Sequence, residues 1–130
     1  MGRNRRRDAL PGQAVNAAVC VAAATAPGVP GLLGPGGPDA SEHWHPGLPW
    51  AGCSILAASP ARLTAVRQQA IERQLLAADM PASAQATRVY DDYLRELVKT
   101  EPGDLAPLAV SLIGPRNQVA KLVRHLELLP

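Results

Sequence analysis

The chain has 130 residues, 47% of them apolar, and a formal net charge of +2; this is the length of one ordinary domain and too short for two sizeable cores. Arg3, Arg5, Arg6 and Arg7 against Asp8 account for +3 of that charge and leave the remainder of the chain at −1, so past its start no basic face is on offer to a nucleic-acid backbone. Ala, Leu and Val dominate the apolar set, with no Phe, two Trp and two Tyr, which predicts a thin core of small side chains.

The first 28 residues have the parts of an export signal: a basic start with a twin arginine, an apolar run at 17–24 and the small-x-small triplet Ala24-Thr25-Ala26. Pro11, Gly12, Gln13 and Asn16 interrupt the approach to that run, and Pro27 follows the would-be cut. The run is also far too short to span a bilayer. The same residues are better read as a helix over 14–26, apolar nearly all round and stopped by Pro27-Gly28. A cytoplasmic protein with no membrane contact is therefore expected. Asn16 is the polar residue in this helix, either facing a cleft or, as we expect, buried with its hydrogen bonds satisfied.

The Gly- and Pro-rich segment that follows allows at most a short strand at 29–33, and "LPWAGCSILAAS" predicts a buried strand over 50–56. Ser59-Pro60 is a helix start, a capping hydroxyl followed by Pro in the first turn. The helix is expected to reach residue 78, with Leu63, Val66 and Ala70 on one face and Ile71 and Leu75 widening it. After Met80-Pro81 a second helix is predicted over 83–99, with Ala86, Tyr90, Tyr93, Leu94 and Leu97 as its core stripe. "LAVSLIG" from Leu108 is a strand ended by Gly114-Pro115, residues 115–124 are a helix, and Leu126 and Leu128 mark a short closing strand. Strands alternating with helices predict an α/β layer fold around a small mixed or parallel sheet flanked by helices.

The stretch "SEHWHPGLPW" holds both tryptophans and two of the three histidines. His43 and His45 are two potential zinc ligands where three or four are needed, so no metal is expected. Trp44 and Trp50 stand in an uncharged Pro-Gly context, unlike a base-stacking platform. The segment is read as structural: Pro46-Gly47 turns the chain and Trp50 drops into the core. Gly114-Pro115-Arg116-Asn117 is a strand-to-helix turn where free amides beside Arg116 and Asn117 are a weak anion site. Cys20 and Cys53 have no metal spacing and are read as buried free thiols.

The runs "DALPGQAVNAAVCVAAATA", "LLG…DASEHWHPGLP", "ILAASPARLTAVRQQA", "AQATRVYDDYL" and "SLIGPRNQVAKLVRHLELL" together resemble the bacterial family known as domain of unknown function two thousand, over about residues 8–129. The resemblance singles out His45, in the HPG triplet, over His43, and makes His45 with Asp39 the candidate polar pair at a ligand pocket. The family is similar in fold to the type-two peptidyl-tRNA hydrolases, whose activity would require a lysine-bearing Gly-Lys-Gly-Lys turn at the first helix and an Asp-Ala-Gly-x-Thr segment after the second. Here Gln13 and Val15 stand where those lysines belong, and "ADMPASAQAT" has Asp79 and Thr87 without the motif or its spacing. Fold likeness alone does not carry the chemistry. Relatives are also expected to open with an apolar strand. "MGRNRRRDAL" has four arginines and no β-branched or aromatic residue, so that strand is missing or degenerate here and residues 1–7 are expected to be disordered or a frayed edge. A start assigned too late would explain it, as would a strand supplied by a partner chain.

The resulting expectation is a basic tail over 1–8 and a single α/β domain over 9–130. The residues name no activity; the first expectation is a non-catalytic small-molecule-binding or interaction domain without a cofactor, with a small-molecule ligand and a homo-oligomer as the partners left open. Asn16, Asp39, His45, Arg116 and Asn117 are its candidate ligand residues, and a hydrolase resembling the peptidyl-tRNA enzymes with an altered site is the alternative.

Overall fold

The computed structural model describes residues 11–129, so the expectations for the basic tail and the opening strand lie outside the described residues. The fold is mixed α/β: α1 (Pro11–Thr25), a 3-10 turn (Ala26–Gly28), β1 (Gly37–Pro38), β2 (Trp44–His45), β3 (Leu56–Ala57), α2 (Pro60–Glu72), β4 (Leu76–Pro81), α3 (Ala82–Ala86), α4 (Tyr90–Leu97), a second 3-10 turn (Pro102–Asp104), β5 (Pro107–Ile113), α5 (Arg116–Val123) and β6 (Glu127–Leu128).

The frame is an antiparallel ribbon of β4 and β5, with Leu76 opposite Ile113 at one end and Pro81 opposite Pro107 at the other. Because successive strand side chains point to opposite faces, Met80 and its partner Ala109 face α1, where they pack with Ala17 and Val21. On that side the buried Thr25 hydroxyl donates to the Val21 carbonyl (2.6 Å) and is hydrogen-bonded to the Ser111 hydroxyl (2.9 Å). The other face carries Ala77 and Leu112, which pack with Ala70, Leu75 and Leu122 of the α2 and α5 side. Two small cores thus flank one two-stranded layer.

The sheet is corrected from mixed or parallel to small antiparallel pairs: β1 with β2, β3 with β6, β4 with β5. The segment from β4 to β5 leaves and rejoins the ribbon at the same end, so no crossover arises and the strands run in opposite directions. The helix expected to reach residue 78 ends at Glu72. Gln74 takes a left-handed conformation (φ 58°), its amide donates to Ile71, and the Leu75 amide donates to Ala70, a Schellman closure with Gln in the usual glycine place. Residues 76–81 are then strand, not helix. The helix predicted over 83–99 divides into α3 and α4 at Thr87 and Val89, both extended. Its stripe is only partly covered: Tyr93 and Leu97 are half-buried, whereas Tyr90 and Leu94 are exposed, and Tyr90 packs on Tyr93 with ring centroids 5.6 Å apart.

The strand expected over 50–56 shrinks to Leu56–Ala57, paired with β6. Trp50 does not enter the core, because its amide is committed to the Leu32 carbonyl (3.1 Å) in a hairpin that precedes it. Leu33 opposite Pro49, Gly37 opposite His45 and Pro38 opposite Trp44 share one antiparallel register, so residues 32–50 form one arm rather than a strand at 29–33. Cys20 is half-buried and Cys53 exposed, both free, so neither is the buried thiol expected. Among the described residues no helix is long and apolar enough to cross a membrane.

Candidate functional site

The first turn of α1 opens onto a cleft of about 790 Å³ whose lining includes Gln13, Asn16, Cys20, Met80, Gln85 and Leu108. Three elements meet there. α1 brings Asn16 to the surface, the end of β4 and start of β5 supply Met80 and Leu108 as an apolar floor, and α3, which follows β4 directly, brings Gln85. The Gln85 side-chain amide donates to the Asn16 side-chain oxygen (3.1 Å) and to the Gln13 backbone carbonyl (3.3 Å), clipping α3 to the first turn of α1. The Cys20 sulfur lies 4.0 Å from the same Asn16 oxygen, one helical turn on. Asn16 is exposed, not buried as expected; its hydrogen bonds are met across a cleft rather than inside a core. Among the described lining residues the Cys20 thiol is the one titratable group, and the other polar atoms are amides.

Asp39 and His45 come together elsewhere, at the tip of the arm. One Asp39 carboxylate oxygen accepts from the Ser41 and His43 amides (2.9 and 3.0 Å), and the other is 3.0 Å from His45 Nε2 and 3.6 Å from His43 Nδ1. Glu42 closes the loop in a left-handed conformation (φ 67°). The His45 hydrogen bond first, then the His43 and Ser41 amides, holds the Asp39 carboxyl below its ordinary value of 3.8, because each donor stabilises the charged form. The loop is therefore pinned by the Asp39 carboxylate. Both side chains face solvent and neither lines the cleft. No group of three or more His, Cys, Asp or Glu among the described residues is placed to hold a metal ion.

Arg116 and Asn117 open α5 just beyond Ile113 and are exposed. They sit at the Leu76–Ile113 end of the ribbon, whereas Asn16 lies at the Pro81–Pro107 end, roughly 17 Å away at 3.4 Å per strand residue. The five candidate residues thus fall into three separate places. Gln85 was missed by the sequence reading, since it is 69 residues from Asn16 and no local motif marks it.

The family model described as "Protein of unknown function (DUF2000)" matches residues 6–130, nearly the whole chain. The chain belongs to that family. A solved structure, that of the protein of unknown function Atu0240 from Agrobacterium tumefaciens strain C58, is similar to this DUF2000 chain with a TM-score of 0.88 at 16% identity, covering 96% of this chain and 93% of that one. At such identity the likeness is one of fold. No curated protein matches the DUF2000 chain. Neither description names an activity, so function has to be argued from the cleft.

Proposed function

We propose that this protein binds a neutral small molecule in the cleft at the start of α1, working in the cytoplasm and without transforming its ligand. The observation that carries this reading is the Gln85 amide held between Asn16 and the Gln13 carbonyl, set over the apolar floor of Met80 and Leu108. Convergent amides above an apolar surface are the usual make-up of a small-molecule pocket, and they recognise carbonyl, amide or hydroxyl groups rather than phosphates or carboxylates. The likeness to type-two peptidyl-tRNA hydrolases belongs to this proposal as a likeness of fold only. Hydrolysis of an ester there would call for a positioned base or cation, and the described lining offers amides and a thiol.

The test is a thermal-shift screen of nucleosides, neutral amides, sugars, phosphorylated metabolites and metal ions, run beside an aminoacyl-ester hydrolysis assay. A neutral ligand at about 100 times its Kd raises stability by about 2.7 kcal/mol, and Asn16→Leu or Gln85→Leu abolishes the shift, measured against each variant's own unliganded Tm. Stabilisation by anionic compounds alone, or ester hydrolysis lost in Asn16→Leu, would overturn the reading.

A further inference from the structure

We infer that the arm formed by residues 32–50 is a dimerisation element, and that its exposed apolar face packs against the same face of a second copy of this chain. The shared register of Leu33–Pro49, Gly37–His45 and Pro38–Trp44 places Trp44, Leu48 and Trp50 on one face of the arm, opposite Pro38, Gly34 and Leu32. The two indoles lie against the bare backbones of Gly36 and Gly34 and leave their other sides to solvent. Trp44 is 68% exposed, Leu48 78% and Trp50 74%. One strand of the arm thus presents Trp44, Leu48 and Trp50 outward while the inner sides of the two indoles cover the glycine backbone of the other, and that outer apolar face is what meets its own copy under a twofold axis.

The charge pattern selects the occupant. From residue 29 to residue 58 the charged residues are Asp39 and Glu42, both at the tip, with no Lys or Arg. An uncharged shank rich in Trp and Leu is the composition of a protein–protein interface centre, where charged residues are depleted and tryptophans contribute most. A membrane-surface element would pair its apolar face with basic residues, and the arm has acidic ones.

The surface area points the same way. The chain exposes 10331 Å², against about 6,500 Å² for a compact monomer of this mass. Even with roughly 1,700 Å² set aside for the eleven undescribed residues, a surplus of about 2,000 Å² remains. That exceeds the roughly 800 Å² per partner of a standard interface and is what an obligate homodimer buries.

Both tryptophans of the chain lie on this face, so intrinsic fluorescence reports on it directly. Sedimentation velocity and tryptophan emission of the full chain are to be followed together from sub-micromolar to sub-millimolar concentration. The expected result is twice the chain mass with blue-shifted emission, and a dissociation on dilution that shifts emission to the red in step. Leu48→Gln and Trp50→Gln, at positions exposed in the monomer, are expected to weaken the dimer by about thirty-fold or more with unchanged far-ultraviolet circular dichroism. A monomer with water-exposed emission at the highest concentration, a dimer indifferent to both substitutions, or a monomer that binds phospholipid vesicles through the arm would overturn the inference. Loss of the cleft ligand would not, because neither Leu48 nor Trp50 lines that cleft.

Discussion

Removing the charge of Asp79 is expected to produce two coupled effects. Arg67 Nε of α2 lies 3.0 Å from Asp79 Oδ1 of β4, with side chains 23% and 18% exposed, so the pair is largely shielded from water and ties α2 to the ribbon. At an effective dielectric near 20 the attraction of two charges about 4 Å apart is about 4 kcal/mol, much of it offset by desolvation and lost rotamer freedom. Fully exposed pairs couple by about 0.2–1 kcal/mol, and breaking a buried pair costs about 3–5 kcal/mol. This one, in between, is expected to couple by about 1.5 kcal/mol, measured by urea unfolding across the cycle Arg67→Met, Asp79→Asn and the double variant. Asp79 also acts on Tyr93, whose hydroxyl is held above its ordinary value of 10.0 by burial first and then by the negative charges of Asp79 and Tyr90. The neutral phenol is favoured in the folded state, so its contribution to stability is present below pH 10 and lost as pH rises through the raised value. In Asp79→Asn the Tyr93 titration, followed by tyrosinate absorbance, moves down yet stays above that of an unfolded tyrosine, because burial remains. Coupling under about 0.5 kcal/mol, at the level of an exposed pair, together with an unmoved Tyr93 titration, would refute the reasoning.

Gly47→Ala would drive a Cβ into the Gly34 carbonyl group; the arm must then open, and the Gly34 amide, now donating to the Leu48 carbonyl at 2.8 Å, should lose its protection from hydrogen exchange. Asp39 is expected to titrate below 3.8 by NMR, so the order it lends the tip is present above that pH and lost as pH falls through its lower folded value; His45→Leu removes the largest cause and returns the titration toward 3.8. Met80→Ala, in the contact with Ala17 and Val21, is expected to cost about 2–4 kcal/mol and to lower Tm by roughly 10 °C, a large share of the stability of so thin a core. Purification without added metal is expected to yield no stoichiometric zinc, and zinc lost on His43→Ala or His45→Ala would contradict the two-ligand argument.

Local chemistry written in consecutive residues was legible from the sequence alone. The α2 start is a Ser59 hydroxyl accepting from the Arg62 amide (3.2 Å) with Pro60 in the first turn, and both are visible in the letters. The same holds for the β-rich run that becomes β5; the pairing of Asp39 with His45 was implied by the family resemblance rather than by any local pattern, and it falls at the arm's tip, not at the cleft. The end of α2 was not legible, because Gln74, unlike glycine, does not announce a left-handed turn. Nor was β4: Leu76–Pro81 has no β-branched residue, and it is a strand because β5 pairs along it while α1 and α2 cover its two faces. Trp50 looked like core by residue type, yet the backbone bond to Leu32 spends it on the arm. Asn16 could be named from its helix, but whether it was buried or lined a cleft depended on Gln85 arriving from a distant element. Periodicity and capping act over a few residues, so a sequence can determine where elements start and which faces are apolar. Which apolar faces find partners is decided by long-range contacts, and in this chain the tertiary structure leaves Trp44, Leu48 and Trp50 of the arm facing outward.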